Sequence, residues 1–112
     1  MRPESRKLLW DAVRAADLIS SFCAGKRLVD YAADEQLSSA VERQFEIIGE
    51  ALGKFAKDEP DLADRIPELR RIVGFRNLLI HGYAVVDDHI VWGLVESKLS
   101  PLRTAIAALL GS

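Results

Sequence analysis

The chain has 112 residues, 49% of them hydrophobic and 29% charged, with a net charge of −2 and a single cysteine, Cys23. This length and composition predict one domain, residues 1–112, with one buried core, and they exclude wholesale disorder, an intramolecular disulfide and a thiolate metal cage. The slightly negative charge argues against a general nucleic-acid coat protein but allows a local basic patch, and because no apolar run approaches the roughly 18 residues that span a bilayer, we expect a cytoplasmic protein with no membrane partner.

The first half of the sequence predicts two long helices. Apolar residues recur at three- and four-residue spacing over residues 4–24, and Gly25 suits the position just beyond the end of that helix. Residues 28–33 fit either a loop or a short helical turn. Asp34 is a predicted N-cap, and the clearest apolar stripe in the chain follows it over residues 37–55.

Two glycines, Gly49 and Gly53, lie inside the second long helix. Each lowers helix stability by about 1 kcal/mol relative to alanine. Two explanations stay open from the sequence. Either another backbone approaches the helix closely at these positions, or the helix is stable enough to carry the cost.

The middle of the chain contains two prolines that punctuate the helices. Pro60 and Pro67 bracket a predicted short turn of helix at residues 61–66, and Pro67 suits the first position of the helix that follows. That helix carries apolar residues over 69–80, and we expect it to end near Gly82.

Two further segments complete the predicted fold. Asp87 is a predicted N-cap for a segment with apolar residues at 90–95, and Ser100 with Pro101 predicts the cap and first residue of a last helix ending at Gly111. No stretch shows the alternation typical of β-strands. The sequence therefore predicts an all-α bundle of four main helices plus short ones.

The most informative stretch places a cation, an amide, an imidazole and a phenol within eight residues, at Arg76, Asn77, His81 and Tyr83. Asn77 and His81 share a helical face, whereas Arg76 and His81 lie about 140° apart and flank one broad edge. A guanidinium matches phosphate oxygens, and an imidazole exchanges a proton near neutral pH. Asn77 could orient that imidazole or a water, and Tyr83 could contact a phosphate or be modified. Without an acidic residue in the motif, a metal site is disfavoured.

From the spacing alone, two interpretations stay open for this stretch. A histidine near a helix end is commonly a partner of the helix dipole, and a helical arginine is commonly solvated. Four arginines between residues 65 and 76, including Arg70 and Arg71, are however opposed by Glu68 alone. This local positive field inside an acidic chain favours binding of a polyanion.

Residues 76–83 also form the Arg-x4-His-x-Tyr motif of the HEPN superfamily. More narrowly, the chain resembles the HepT toxins of MntA–HepT toxin–antitoxin systems. Residues 45–51, 72–77 and 87–92 are similar to the corresponding segments of those proteins. The resemblance covers nearly the whole chain in order and spacing.

The resemblance implies a HEPN-type helical bundle that forms a homodimer with its motif helices facing each other. It implies metal-independent RNA cleavage without a cofactor, with Arg76 and His81 as catalytic residues. Together with this activity, the local positive field predicts Arg70 and Arg71 as RNA contacts. It further implies a cognate MntA-like nucleotidyltransferase antitoxin, which in some members transfers AMP from ATP to the motif tyrosine, Tyr83 here. The system would be a type II/VII-like toxin–antitoxin pair. A non-catalytic HEPN module that partners a nucleotidyltransferase, or a plain helical interaction protein, are the alternatives.

Four residues outside the motif have structural explanations. Trp10 and Trp92 are expected in the core or in a dimer contact, and Cys23 lies on an apolar stripe and is expected to be buried. Glu50 is expected in a structural ion pair, with Arg76 or with an arginine across the dimer.

Overall fold

The computed structural model describes residues 1–81 and 86–111, and these residues form helices connected by short turns. The predicted all-α fold is confirmed: no β-strand occurs among the described residues. Their seven helices are α1 (Pro3–Cys23), α2 (Leu28–Ala32), α3 (Glu35–Asp58), α4 (Pro60–Ala63), α5 (Leu69–His81), α6 (Asp88–Ser97) and α7 (Leu99–Leu110). The ambiguous segment after the first helix is therefore a short helix, α2.

The core is built around α3, which packs against α1 on one side and against α5 on the other. The stripe predicted for α3 is buried, with Phe45 and Phe55 both inaccessible to solvent. Phe45 meets Phe75 of α5 edge to face, with ring centroids 5.5 Å apart. Because aromatic pairs in this geometry add about 0.5–1.5 kcal/mol to the burial of their surfaces, this pair helps fix α5 on α3.

The remaining helices enclose the other side of α1 and the end of the bundle. α7 packs against α1 and α6, and α6 also packs against α2. Trp92 of α6 is buried and lies against the buried ring of Tyr31 in α2, with centroids 5.4 Å apart. Trp92 is thus a core residue, as predicted, whereas Trp10 is 57% exposed on α1. Cys23 is buried, and burial raises the pKa of its thiol while nearby Lys26 opposes that rise.

Three of the predicted helix ends are confirmed by their hydrogen bonds and backbone angles. Gly25 follows the end of α1 with φ of +73°, the left-handed conformation that glycine adopts without strain. The Asp34 side chain accepts a hydrogen bond from the Leu37 N–H, and Asp87 accepts one from the His89 N–H. Each cap of this kind contributes about 1 kcal/mol.

Two predicted helix starts are wrong. α5 begins at Leu69 and not at Pro67, because Glu68 has φ of +68° and cannot continue a right-handed helix through Pro67. α7 begins at Leu99, so Ser100 is not its cap and Pro101 is its third residue. Proline fits there because the first-turn N–H groups of a helix have no acceptor within the helix. A helix of the length and apolarity needed to cross a membrane is absent from residues 1–81 and 86–111.

Candidate functional site

Most of the predicted site residues lie on α5, which buries only one of its faces. Leu69, Ile72 and Phe75 turn into the core, where α3 is the main neighbour of the helix. Ile80, an apolar residue near the end of the same helix, is not part of this buried face and is 43% exposed. Exposure extends along the rest of the helix, including Arg70, Arg71, Gly74, Asn77, Leu78 and His81.

The closest approach between α3 and α5 occurs at Gly49. A Cβ atom at Gly49 would overlap the Cβ atom of Arg76, and it would lie 2.8 Å from the Arg76 Cγ and 3.2 Å from the Ile72 carbonyl oxygen. At Gly53 a Cβ would meet only Val73, at 3.8 Å, which is ordinary van der Waals contact. The close-approach explanation therefore holds at Gly49, and Gly53 does not require it.

Arg76 is half-buried against α3 and its charge is not neutralised. Its Nη1 donates a hydrogen bond of 3.2 Å to the Asn77 side-chain oxygen, and its Nε is buried without a hydrogen-bond partner among the described residues. None of the described carboxylates lies within 4.0 Å of its guanidinium. The site thus holds a cation whose remaining donors can bind a phosphate or another anion.

Asn77 and His81 occupy the exposed side of the helix. The Asn77 oxygen accepts from Arg76, so the structure places this amide beside the guanidinium. His81, the last residue of α5, is exposed, and its side chain makes no hydrogen bond or ion pair with any described residue. It lies about 7.5 Å further along the helix axis than Arg76, by the rise of 1.5 Å per residue. Gly82 and Tyr83, the predicted helix end and the predicted modification site, lie outside the described residues.

A groove runs between α3 and α5 toward α4. It consists of two adjoining depressions of about 830 and 380 Å³, which share Gly53, Val73 and Asn77 in their lining. The larger contains Arg70 and Arg71, and the smaller contains Arg76. We call this feature the α3–α5 groove. It gathers three of the predicted site arginines at one surface, whereas His81 does not line it.

The groove also contains residues that sequence reasoning missed. Lys54 and Lys57 of α3 line the smaller depression together with Glu50. Glu50 forms the structural ion pair expected of it, but its partner is Lys54, at 3.6 Å, and not Arg76. In the sequence these lysines are only polar positions of an amphipathic helix. No signal shows that their edge of α3 borders α5.

Neither the remaining histidine nor a metal-binding cluster adds a second candidate site within residues 1–81 and 86–111. His89 is exposed and lies 3.4 Å from the Asp87 carboxylate at the start of α6. Among the described residues, no three or more His, Cys, Asp or Glu side chains lie close enough together to hold one metal ion.

Comparison with known proteins gives a consistent result over most of the chain. The chain is 32% identical over 92% of its length, and 93% of the relative's, to the "Probable ribonuclease HepT" of Thermococcus cleftensis. It is 29% identical to a "Putative RNase" of Methanocaldococcus jannaschii, over 88% of this chain and 80% of that protein. It is 31% identical to a "Putative RNase" of Caldanaerobacter subterraneus, over 72% of this chain and 71% of that protein.

No solved structure is significantly similar to the chain. The sequence model of one family, described as "Ribonuclease HepT-like", matches residues 13–109, which include α5 and all of the α3–α5 groove. The chain belongs to this family of HepT-like ribonucleases.

Proposed function

We propose that this chain is a metal-independent endoribonuclease and the toxin of a toxin–antitoxin pair, with Arg76 and His81 as its catalytic residues. Membership of the HepT-like family supports RNA cleavage as the activity. One observation supports these two residues in particular. The Arg76 guanidinium has no carboxylate partner among the described residues. On the same helix, His81 is exposed, and its side chain makes no hydrogen bond or ion pair with a described residue.

The chemistry of RNA cleavage without a metal matches these groups. A base removes the proton of the 2′-hydroxyl, whose oxygen attacks phosphorus while the bond to the 5′-oxygen breaks. An acid protonates the departing 5′-oxygen, and the products are a cyclic phosphate and a 5′-hydroxyl. An imidazole can serve as base or acid, and a guanidinium stabilises the negative charge on the phosphorus oxygens.

A second copy of the chain completes the site in this proposal. The reaction has two proton transfers and one protomer supplies one motif histidine, so a two-fold dimer supplies the second. The exposed face of α5 supports such contact, because Leu78 is 50% exposed and Ile80 43% exposed close to the site. Ile90, near the start of α6, is 52% exposed. Exposed apolar side chains of this size are common in protein interfaces.

The catalytic assignment is tested by RNA cleavage with EDTA present. We expect wild-type protein to cleave, and His81→Ala to lose about 10²- to 10⁴-fold in rate, the usual contribution of an acid or base. Arg76→Ala should lose a comparable factor. His89→Ala is the matched control, because it removes an exposed histidine from α6, and it should cleave as wild type does. Undiminished cleavage by His81→Ala would refute the assignment and favour a non-catalytic binding module.

The shared site is tested by mixing wild-type and His81→Ala chains in equal amounts, with subunit exchange by co-refolding. If both histidines are needed, only the all-wild-type dimers are active, and activity falls to about a quarter of that of the same total amount of wild-type protein. If each chain acts alone, it falls to about half. A value near one half, or a monomeric wild type, would contradict the shared site.

The last part of the proposal concerns how an antitoxin regulates the ribonuclease. A nucleotidyltransferase antitoxin of the MntA type neutralises the toxin by transferring AMP to Tyr83. The tyrosine oxygen attacks the α-phosphorus of ATP, pyrophosphate leaves, and the phenolic proton passes to solvent. The added negative charge two residues from His81 repels RNA phosphates. Intact-mass measurement after incubation with the partner and ATP should show a gain of one or more AMP groups, absent in Tyr83→Phe. Equal modification of that variant would contradict the proposal.

A further inference from the structure

The α3–α5 groove carries an excess of positive charge that the ion pairs of the fold do not neutralise. Five cationic side chains, Lys54, Lys57, Arg70, Arg71 and Arg76, face three carboxylates, Glu50, Asp64 and Glu68. Two of the cations are paired within the groove, Lys54 with Glu50 at 3.6 Å and Arg71 with Glu68 at 3.7 Å. Lys57, Arg70 and Arg76 have no carboxylate within 4.0 Å among the described residues. The groove thus has two net positive charges in a chain of net charge −2.

The two helices place these cations on opposite walls. Gly49 lies against Arg76 and Gly53 against Val73, so α3 and α5 run antiparallel along the groove. One helical turn beyond Gly53 on α3 is Lys57, and about one turn before Val73 on α5 is Arg70. Lys57 and Arg70 therefore lie at the same level, on either side, about 9 Å along α5 from Arg76.

The middle of the groove leaves space for a ligand to approach the backbone. Gly74 lies inside α5 and lines the larger depression, and a Cβ added there would have no atom within 4 Å. A glycine inside a helix costs about 1 kcal/mol relative to alanine, and no packing within the described chain requires it here. A volume of about 830 Å³ is within the range of ligand sites in proteins.

The lining also indicates which part of a nucleic acid the groove contacts. No aromatic ring occurs in the described lining, so the groove offers no surface on which a base could stack. Lysine and arginine side chains bind backbone phosphates, and these phosphate contacts do not depend on base sequence.

We propose that the α3–α5 groove binds the sugar–phosphate backbone of the RNA strand next to the scissile phosphate, with Lys57 and Arg70 as its phosphate contacts. This subsite rests on the proposed ribonuclease function, because it takes Arg76 as the group at the scissile phosphate. It extends the site onto α3, a helix that carries no part of the motif. Its effect is on RNA affinity, and the chemical step remains with Arg76 and His81.

A binding measurement tests the subsite separately from cleavage. The probe is a fluorescent single-stranded DNA oligonucleotide, which lacks the 2′-hydroxyl and cannot be cleaved by the proposed route. Its Kd is measured by anisotropy over a salt series for wild type and for Lys57→Ala and Arg70→Ala. Each lost phosphate contact should lower the magnitude of the slope of log Kd against log salt by about 0.7, so the defect is about two- to threefold larger at about 50 mM than at about 200 mM salt. In RNA cleavage, both variants should raise KM and keep kcat.

Two controls match the charge changes away from the groove. Lys26→Ala removes an exposed lysine just after α1, and Arg14→Ala removes an exposed arginine from α1. Both should bind the oligonucleotide as wild type does, with the same salt slope. Because Lys57 and Arg70 are exposed, all four variants should keep the wild-type melting temperature and oligomeric mass.

The outcomes separate the subsite from the proposed function. Weakened binding with a lower slope in Lys57→Ala and Arg70→Ala alone supports the subsite, even if wild type cleaves no RNA and the ribonuclease proposal fails. Wild-type cleavage together with unchanged binding in both variants overturns the subsite and leaves the ribonuclease intact. Absence of oligonucleotide binding by wild type also overturns the subsite. Loss of binding together with a lower oligomeric mass would overturn it by assigning the groove to a protein interface.

Discussion

Gly49→Ala tests whether the contact between α3 and α5 positions Arg76. The substitution adds one methyl group, whose carbon would lie 2.8 Å from the Arg76 Cγ. Carbon atoms in favourable contact lie roughly 3.5–4.0 Å apart. The added carbon would also overlap the Arg76 Cβ, so the two helices must separate locally by at least roughly 1 Å. The added carbon would also lie 3.2 Å from the Ile72 carbonyl oxygen. Because this oxygen belongs to the backbone, a change of side-chain rotamer cannot relieve the contact.

The effect on stability follows from two opposing contributions. Replacing a helical glycine by alanine gains about 1 kcal/mol, whereas forcing a methyl group into a packed contact costs about 1–3 kcal/mol. We expect Gly49→Ala to lower the free energy of unfolding by up to about 2 kcal/mol. Gly53→Ala, one turn further along α3, meets only Val73 at 3.8 Å and should raise it by up to about 1 kcal/mol. Chemical unfolding of both variants measures the difference.

The effect on activity is larger than the loss of stability suggests. A displacement of about 1 Å at a catalytic group can cost about 10²-fold in rate. Under the catalytic role proposed for Arg76, Gly49→Ala should therefore lower kcat by about ten- to a hundredfold while remaining folded. The control is Gly93→Ala on α6, where an added Cβ has no atom within 4 Å, and its kcat should equal that of wild type. If Gly49→Ala is as stable and as active as wild type, the contact does not position Arg76.

Two further predictions concern a buried tyrosine and a half-buried glutamate near the junction of α2, α3 and α6. The Tyr31 hydroxyl is buried without a hydrogen-bond partner among the described residues, so Tyr31→Phe should raise the free energy of unfolding by about 1 kcal/mol, and a lower value in urea unfolding would show that the hydroxyl is satisfied. Burial, and after it Asp88 and Glu46, raise the pKa of Glu42 above its ordinary value. Between the unfolded and the raised native pKa the folded state binds more protons, so this group's contribution to stability falls as pH rises through that window. Glu42→Gln should therefore raise the melting temperature at pH 7 and have little effect near pH 4; an equal gain at both values would contradict the assignment.

The parts of the fold that could be predicted from the sequence are those fixed by local chemistry. The stripes of α1 and α3 depend on spacing within one helix, and the caps at Asp34 and Asp87 depend on residues two or three positions away. The start of α5 could not be predicted in this way. Glu68 has a positive φ, which costs a non-glycine residue energy, and its carboxylate contacts both Arg71 and the distant Lys98, at 3.7 and 3.5 Å.

In the candidate site, too, some features depend on local spacing and others on how the helices pack. Arg76 and His81 lie on one helix, so their spacing in the sequence fixes their separation along its axis. Lys54 and Lys57 belong to another helix, and their place beside Arg76 depends on how α3 and α5 are aligned. That alignment is a tertiary property, and the sequence left open even whether Gly49 had a packing role.

Gly49 lies where the two helices of the candidate site, α3 and α5, are in contact. Along α3, Gly49, Gly53 and Lys57 recur every four residues and so form one stripe, which faces α5. The two glycines allow α5 to approach α3. Lys57 is the next residue of this stripe, and it lines the groove. A helix with larger residues at these positions would hold α5 further away, and Arg76 and Lys57 would no longer border one groove. The position of Arg76 on α5 therefore depends on a stripe of α3 that contains no residue of the Arg-x4-His-x-Tyr motif. A site inferred from that motif alone omits the surface of α3 against which Arg76 packs.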